Sequence, residues 1–524
     1  ISLFMIQKIE SLLFFFILGL SLSFGSQQQE KARLSNNLPN IVLILADDMG
    51  YGDIQAYNSA SDIPTPNLNS LTKEGMRFTD AHTNSSVSTP TRYGILTGRY
   101  AWRTRLKSGV LFEPNAKPLI NTRRLTLPKM LKQFNYHTAC IGKWHLGIEW
   151  QRNQEGEANF NQPFLTGPTD VGFDYYFGVT GSLDMIPYTF FENKQPVQSV
   201  TDTQPHLGFP RYLREGPKAK DFNFSRVLDQ LTDKSVEYIK KQSDHPNPFF
   251  LYFALTAPHK PVWPAERFQG RTELGPYADF ILQVDWTVGQ ILEVLENNGI
   301  KDNTLVIFTS DNGSFMFRVH GDERYPFEKK LPGQSFKSRL VGDGEKDHAD
   351  DSRIHGYYPY VHRANYIWRG TKADIWEGGH RVPFIVRWPD RIKAQTTNTQ
   401  TICVTDIMRT CADIAGYSLT ENEGEDSFSL MPVLLGKQSK ISRAPVVHHS
   451  IGGMFAIREG KWKMVFGDGS GGRQVPKGQP FKKPYFLFNL DNDPAETTNL
   501  IDQYPEVANR LTEQLERIRN KTNK

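Results

Sequence analysis

Apolar runs of strand length, alternating with helical patterns, constrain the fold of this chain more than any other feature. Residues 40–46 (NIVLILA), 137–141, 249–255 (FFLYFAL), 304–309 (TLVIFT) and 382–387 are dominated by apolar side chains. A strand with one wet face alternates apolar and polar residues, whereas a continuous apolar strand needs cover on both faces. Helical patterns at 67–74, 126–133, 226–241, 277–298 and 405–415 supply that cover. In the longest, Ile281, Val284, Val288, Ile291 and Leu295 recur at three- and four-residue steps and mark one buried stripe. The alternation predicts an α/β chain with a large, mainly parallel sheet sandwiched by helices.

The pattern changes past residue 430. Short strands at 445–449, 454–457, 461–466 and 485–490 follow in hairpin order, with Glu459-Gly460 as a turn, and an amphipathic helix runs from 505 to 519. This predicts a smaller C-terminal α+β unit with an antiparallel sheet. The expected division is 1–25, 36–430 and 431–524. In the first segment Lys8 precedes the apolar run 12–20, and Ser23-Phe24-Gly25 offers small residues at cleavage spacing. That is the pattern of a secretion signal, with Met5 as its start, and the run is short for a bilayer span. The expected location is secreted or periplasmic, without stable membrane insertion.

Charge excludes one class of partner. With 61 Lys+Arg against 57 Asp+Glu the net charge is only +4, and no basic stripe stands out, so nucleic acid is not expected. Cys140, Cys403 and Cys411 form no disulfide framework and no zinc spacing.

Polar clusters sit where several strands end. Parallel sheets bind ligands beyond their C-terminal strand ends, so the recurrence points to a site. Asp47-Asp48 ends the first strand, and Asp311-Asn312-Gly313 ends the one near Thr309. Either cluster alone reads as a capped turn. Together they offer hard oxygen ligands that suit Ca²⁺, and Mg²⁺ less well. Lys143 and His145 follow another strand, and His259 and Lys260 a fourth; a lysine at such a rim binds anions and an imidazole transfers protons. Lys372 stands four residues before Trp376-Glu377-Gly378-Gly379. In Ser88-Thr89-Pro90-Thr91-Arg92, Pro90 suits a first helical turn, which places Ser88 near a helix N-terminus where free N–H groups favour negative charge. Arg92 returns about one turn later on the same face. These residues alone support an anion site or a capping serine.

The same stretch, continued by Leu96-Thr97-Gly98-Arg99, resembles the signature of the formylglycine-dependent, arylsulfatase-like sulfatases of the alkaline phosphatase superfamily, in the serine form. Thr91 departs from the commoner Ser or Ala. The resemblance extends through Asp47-Asp48-Met49-Gly50, residues 142–147, Asp311-Asn312-Gly313, residues 376–379 and residues 489–499 (NLDNDPAETTN), in the family's order. It implies an alkaline-phosphatase-like fold whose 36–430 portion is the catalytic domain, and a sulfuric ester hydrolase activity. It further implies that Ser88 is oxidised to formylglycine (3-oxoalanine), the nucleophile, by an anaerobic sulfatase-maturating enzyme. Asp47, Asp48, Asp311, Asn312 and the modified Ser88 would bind Ca²⁺. Arg92 would stabilise the nucleophile, Lys143 and Lys372 would hold the sulfate, His259 would protonate the leaving alcohol, and His145 would act as the base.

Secretion favours an extracellular polymer, and the chain looks similar to sulfatases acting on galactose- or N-acetylgalactosamine-type sulfates. Candidate sugar contacts are Asp184, followed by the aromatics Tyr188, Phe190 and Phe191, and the long irregular stretch 313–369 with His320, Arg339, His355 and His362. Two other functions fit the same residues. One is a phosphomonoesterase or phosphodiesterase of the same superfamily, against which the ligands support one metal rather than two. The other is a non-catalytic sulfated-glycan binder, if Ser88 is not matured.

Overall fold

A computed structural model describes residues 38–208, 210–272, 274–316 and 362–521. The expected signal segment, His320, Arg339 and His355 lie outside the described residues. The main sheet has ten strands: β1 (Asn40–Asp47), β2 (Met76–Phe78), β3 (His137–Lys143), β4 (Tyr175–Val179), β5 (Phe191–Glu192), β6 (Gln195–Pro196), β7 (Phe249–Pro258), β8 (Thr304–Ser310), β9 (Phe384–Arg387) and β10 (Thr396–Asn398). Their spatial order is β10-β2-β9-β8-β1-β7-β3-β4-β5-β6. The central run β8-β1-β7-β3-β4 is parallel throughout, while β9 and β5 join it antiparallel.

Why the central strands read as unbroken apolar runs is visible in β1. Val42, Ile44 and Ala46 enter one hydrophobic core, and Ile41, Leu43 and Leu45 enter another on the opposite face. Helices α1 (Pro66–Glu74), α2 (Ser88–Thr97), α3 (Leu127–Lys132), α4 (Val227–Ser243), α5 (Pro276–Asn297) and α6 (Asp406–Ala415) lie against this sheet, the first core taking α1, α4 and α5 and the second α2, α3 and α6. The stripe Ile281, Val284, Val288, Ile291 and Leu295 is wholly buried in the first core, as its spacing predicts.

The second sheet has four antiparallel strands, β11 (Val446–His449), β12 (Phe455–Glu459), β13 (Trp462–Phe466) and β14 (Phe486–Asn489). Helix α7 (Pro505–Asn520) covers it through Val507, Ala508, Leu511 and Leu515. The short strands β2, β4, β5, β6 and β10 are absent from the sequence reading. Each depends on a neighbouring strand for its pairing and carries too few residues to announce a period of its own. The three cysteines are buried and free, and no helix among the described residues is long and apolar enough to cross a membrane.

Candidate active site

Four adjacent parallel strands end at one rim and deliver the polar clusters to one place. Asp47 closes β1 and, after a register shift past Leu45, pairs with Pro258 at the end of β7; Asp311-Asn312 follows β8, and Lys143 closes β3. Gly142 is required here. Its φ is +116°, and a Cβ at that position would stand 1.8 Å from the Ala254 carbonyl oxygen of β7. The close approach lets Lys143 turn inward.

Helix α2 aims its N-terminus at this rim. Ser88 is its first residue, and every residue of the helix is buried. The Ser88 Oγ lies 3.5 Å from Asp47 Oδ1, 3.5 Å from Asn312 Oδ1 and 3.3 Å from Lys143 Nζ. Asn312 donates its Nδ2 to Asp48 Oδ1 at 2.7 Å, which leaves its carbonyl oxygen facing Ser88. Arg92 forms a two-nitrogen contact with Asp311 Oδ2, at 3.0 and 2.8 Å, and donates Nη1 to the Lys143 carbonyl. Lys143 Nζ reaches both Asp47 oxygens at 2.8 and 2.9 Å, and Lys372 Nζ lies 2.8 Å from the Asp48 carboxylate. Thus Asp47, Asp48 and Asp311 are matched by Arg92, Lys143 and Lys372 in a site almost closed to water.

Such crowding shifts the ionisation of its members. Burial, opposed by Lys143 and Arg92 and reinforced by Asp311 and Asp48, pushes the Asp47 carboxyl up to about 7. Burial would also raise Asp311, but Arg92, Lys143 and Lys372 outweigh it and hold that carboxyl below the usual range. Two histidines flank the cluster. His145 is driven well below its ordinary value by burial and by Lys143 and Arg92, and His259 by burial and by Lys372, Lys143 and Lys260. His145 donates Nε2–H to the Leu111 carbonyl at 2.8 Å, and its Nδ1 has no partner among the described residues. His259 donates Nδ1–H to the Lys260 carbonyl at 2.5 Å, which turns Nε2 to within 3.6 Å of Asp48 Oδ2. Asp48 and His145 both hold left-handed backbone, with φ of +66° and +58°. Side-chain-bearing residues adopt that region at a cost that surrounding structure must offset, and functional sites are where it concentrates.

The donor set fits a hard divalent cation. Asp47, Asp48 and His259 each present a ligand atom within 4.8 Å of the others, and Asn312 Oδ1 and Ser88 Oγ extend the set with oxygen. Burial raises the Asp47 carboxyl, and a bound cation would favour its charged form.

Of the remaining sequence expectations, two change. Asp184 is buried and its carboxylate is held by Arg214. Tyr188, Phe190 and Phe191 are 1%, 7% and 0% exposed, so none offers a ring face to a sugar; they pack in the cores instead. His362 donates Nε2–H to Asp53 Oδ1 at 2.8 Å. Sequence reasoning missed Ser182, whose Oγ lies 3.4 Å from His259 Nδ1, as well as Arg214 and the exposed Phe112. They lie in irregular segments with no periodic signal.

Residues 376–379 belong to a different cluster. Glu377 accepts Arg458 Nη1 at 2.6 Å, and Lys463 Nζ lies 3.2 Å from it, so cations from β12 and β13 dock on the main sheet's side. His82, His380 and His448 gather beside them with ligand-like spacing. His82 donates Nε2–H to Asp80 Oδ1 at 2.8 Å, and Lys463 donates to His380 Nε2 at 3.1 Å, which occupies those nitrogens and marks a docking network.

Comparison with known proteins follows this geometry. A family profile described as Sulfatase matches residues 39–417. The chain is similar to an N-acetylgalactosamine-6-O-sulfatase of Bacteroides thetaiotaomicron, 31% identical over 96% of this chain and 98% of that protein. It is also 30% identical to arylsulfatase A of Bos taurus, over 90% of this chain and 85% of the relative. A solved structure from work on glycosaminoglycan metabolism by Bacteroides thetaiotaomicron, labelled 6S-sulf, superposes with a TM-score of 0.75 at 30% identity, covering 92% of this chain and 99% of the other. The chain therefore belongs to the formylglycine-dependent type I sulfatases of the alkaline-phosphatase-like superfamily, enzymes that hydrolyse sulfate esters.

Proposed function

We propose that this sulfatase removes a sulfate ester from a sulfated glycan, of galactose or N-acetylgalactosamine type, using Ca²⁺ and a formylglycine made from Ser88. The observation that carries the reading is the placement of Ser88 Oγ among Asp47, Asn312 and Lys143, at the buried pole of the charge cluster. The similarity to a protein named as an N-acetylgalactosamine-6-O-sulfatase supports the sugar class. The serine form supports an anaerobic maturating enzyme as partner.

Asp47, Asp48, Asp311, Asn312 and residue 88 would hold the cation, which when bound neutralises charge on the sulfate and on the nucleophile. A hydrated formylglycine at residue 88 would offer two hydroxyls, one to serve as nucleophile and one whose deprotonation would let sulfate leave, an exit that a plain serine ester lacks. Arg92 fixes the Asp311 carboxylate, so that its other oxygen, which accepts the Asp48 N–H at 3.1 Å, keeps a set direction. Lys143 and Lys372 bind the sulfate oxygens in a dry site, where a charge contact is stronger than in water. An anionic ester between these lysines offsets the repulsion they exert on His259, so its Nε2 gains a proton for the leaving alcohol. The unpartnered Nδ1 of His145 is the atom available to take a proton from residue 88.

Mass spectrometry of the Ser88 peptide after expression in an anaerobic host tests the reading, together with a desulfation screen on defined sugar sulfates. A peptide lighter by two hydrogens and release of sulfate from an N-acetylgalactosamine or galactose sulfate are expected; unmodified serine with tight glycan binding would overturn it. His259→Ala should lower kcat on alkyl-type sugar sulfates by about 10²–10⁴-fold. Activated aryl sulfates, whose leaving groups need no acid, should lose less than about tenfold. Equal losses on both would remove His259 from the role of acid.

A further inference from the structure

A ring of side chains closes around His259 on the side away from the charge cluster. Ser182 faces its Nδ1, and two residues on, Asp184 holds Arg214 through its carbonyl at 3.0 Å and its carboxylate. The Arg214 guanidinium lies 5.4 Å from the Tyr212 ring centre, and Lys260, next to His259, lies 4.1 Å from the same ring. Arg214 also approaches the Phe112 ring, at 5.7 Å. Phe112 is 56% exposed, yet its backbone neighbourhood is fixed. Leu111 gives its carbonyl to His145 and its N–H to Thr89 Oγ1 on the helix that carries Ser88. A large aromatic ring left in water beside Arg214, one residue on from the backbone carbonyl that holds His145, is a feature that core packing does not explain.

The guanidinium is engaged on one nitrogen only. Nη1 makes both contacts to Asp184, whereas Nε and Nη2 make no hydrogen bond among the described residues, and the side chain is 37% exposed. That free edge has the spacing of a two-oxygen acceptor such as a carboxylate or a sulfate. Asp184 is thereby a positioning residue for Arg214 and not a sugar contact.

We infer that Phe112 and Arg214 form the subsite for the leaving sugar, and that it selects a sugar bearing a second anionic group, a carboxylate or sulfate, besides the ester that is cleaved. The inference rests on the glycan reading above, because His259 serves the leaving alcohol there and groups beside it face the departing sugar. Phe112 supplies a face for the ring's C–H surface, and Arg214 the charge and the fork.

The test measures kcat/KM of the matured enzyme on three substrates: monosulfated N-acetylgalactosamine, the same sulfated sugar joined to a uronate, and the same sugar with a second sulfate. The native enzyme should favour one of the two substrates with a second anionic group over the monosulfated sugar by about 10–100-fold, and which one is favoured identifies the group. Arg214→Gln should shrink that preference about tenfold or more. Arg214→Lys, which keeps a cation opposite Asp184 and so protects the fold, should also shrink it by removing the fork. Phe112→Ala should raise KM on all the sugars with little change in kcat. Equal kcat/KM on the three substrates, or a preference surviving in both Arg214 variants, overturns the subsite. Turnover of an aryl sulfate with every sugar sulfate inert overturns the glycan reading, and the subsite with it.

Discussion

Ser88→Ala is expected to reduce sulfate-ester turnover by at least about 10⁴-fold, toward the background reaction. No other side chain at the rim can replace it: Asp47, Asp48 and Asp311 are committed to Lys143, Lys372 and Arg92, and their oxygens face the same centre as Ser88 Oγ. Stability should change by less than about 1 kcal/mol, because the hydroxyl makes only long contacts, of 3.3–3.5 Å. Steady-state assays on an aryl sulfate and a denaturation curve, run side by side, check both halves. Residual activity within about a hundredfold of the native enzyme would show that the nucleophile lies elsewhere.

Arg458→Met should produce the reverse, a large loss of stability from a residue remote from the chemistry. Arg458 is fully enclosed. It donates to Glu377 at 2.6 Å and to Asp80 at 3.1 and 3.3 Å, and it carries β12 of the small sheet onto the main one. Burial lowers the charged form of such a group, but Asp80 and Glu377 outweigh it and raise the Arg458 pKa. The substitution keeps most of the side-chain volume and strands two buried carboxylates, with Arg381 and Lys463 as remaining partners. Breaking one member of a buried pair costs about 3–5 kcal/mol. Chemical denaturation should show the midpoint fall accordingly, and a shift worth under about 1 kcal/mol would mean that the remaining cations satisfy both acids.

The contrast between these two residues follows how each was legible. Ser88 lies in a compact run in which Pro90 and Arg92 fall within the same helix, which ends at Thr97, so the four-residue spacing alone brings Ser88 and Arg92 to one face. Arg458 has no such neighbours. Its partners Asp80 and Glu377 are 378 and 81 positions away in the chain, and no local pattern marks any of them as paired. The same difference separates Lys143, which follows a recognisable strand and turns inward at Gly142, from Arg214, which lies in an irregular segment and gains meaning only beside Asp184 and Phe112.

The amino-acid sequence by itself determined the layered sheet, through apolar runs that demand cover on both faces, and those members of the charge cluster that stand at strand ends, Asp47, Asp48, Lys143, Asp311 and Asn312, because strand ends are read from where those runs stop. Only the tertiary structure decided that the exposed Phe112 comes beside Arg214, that Asp184 props that arginine, and that residues 376–379 dock the second sheet. Periodicity is a local property fixed by backbone geometry, whereas ion pairing and exposure depend on which distant segments meet, and that is settled when the cores on both sides of the sheet close.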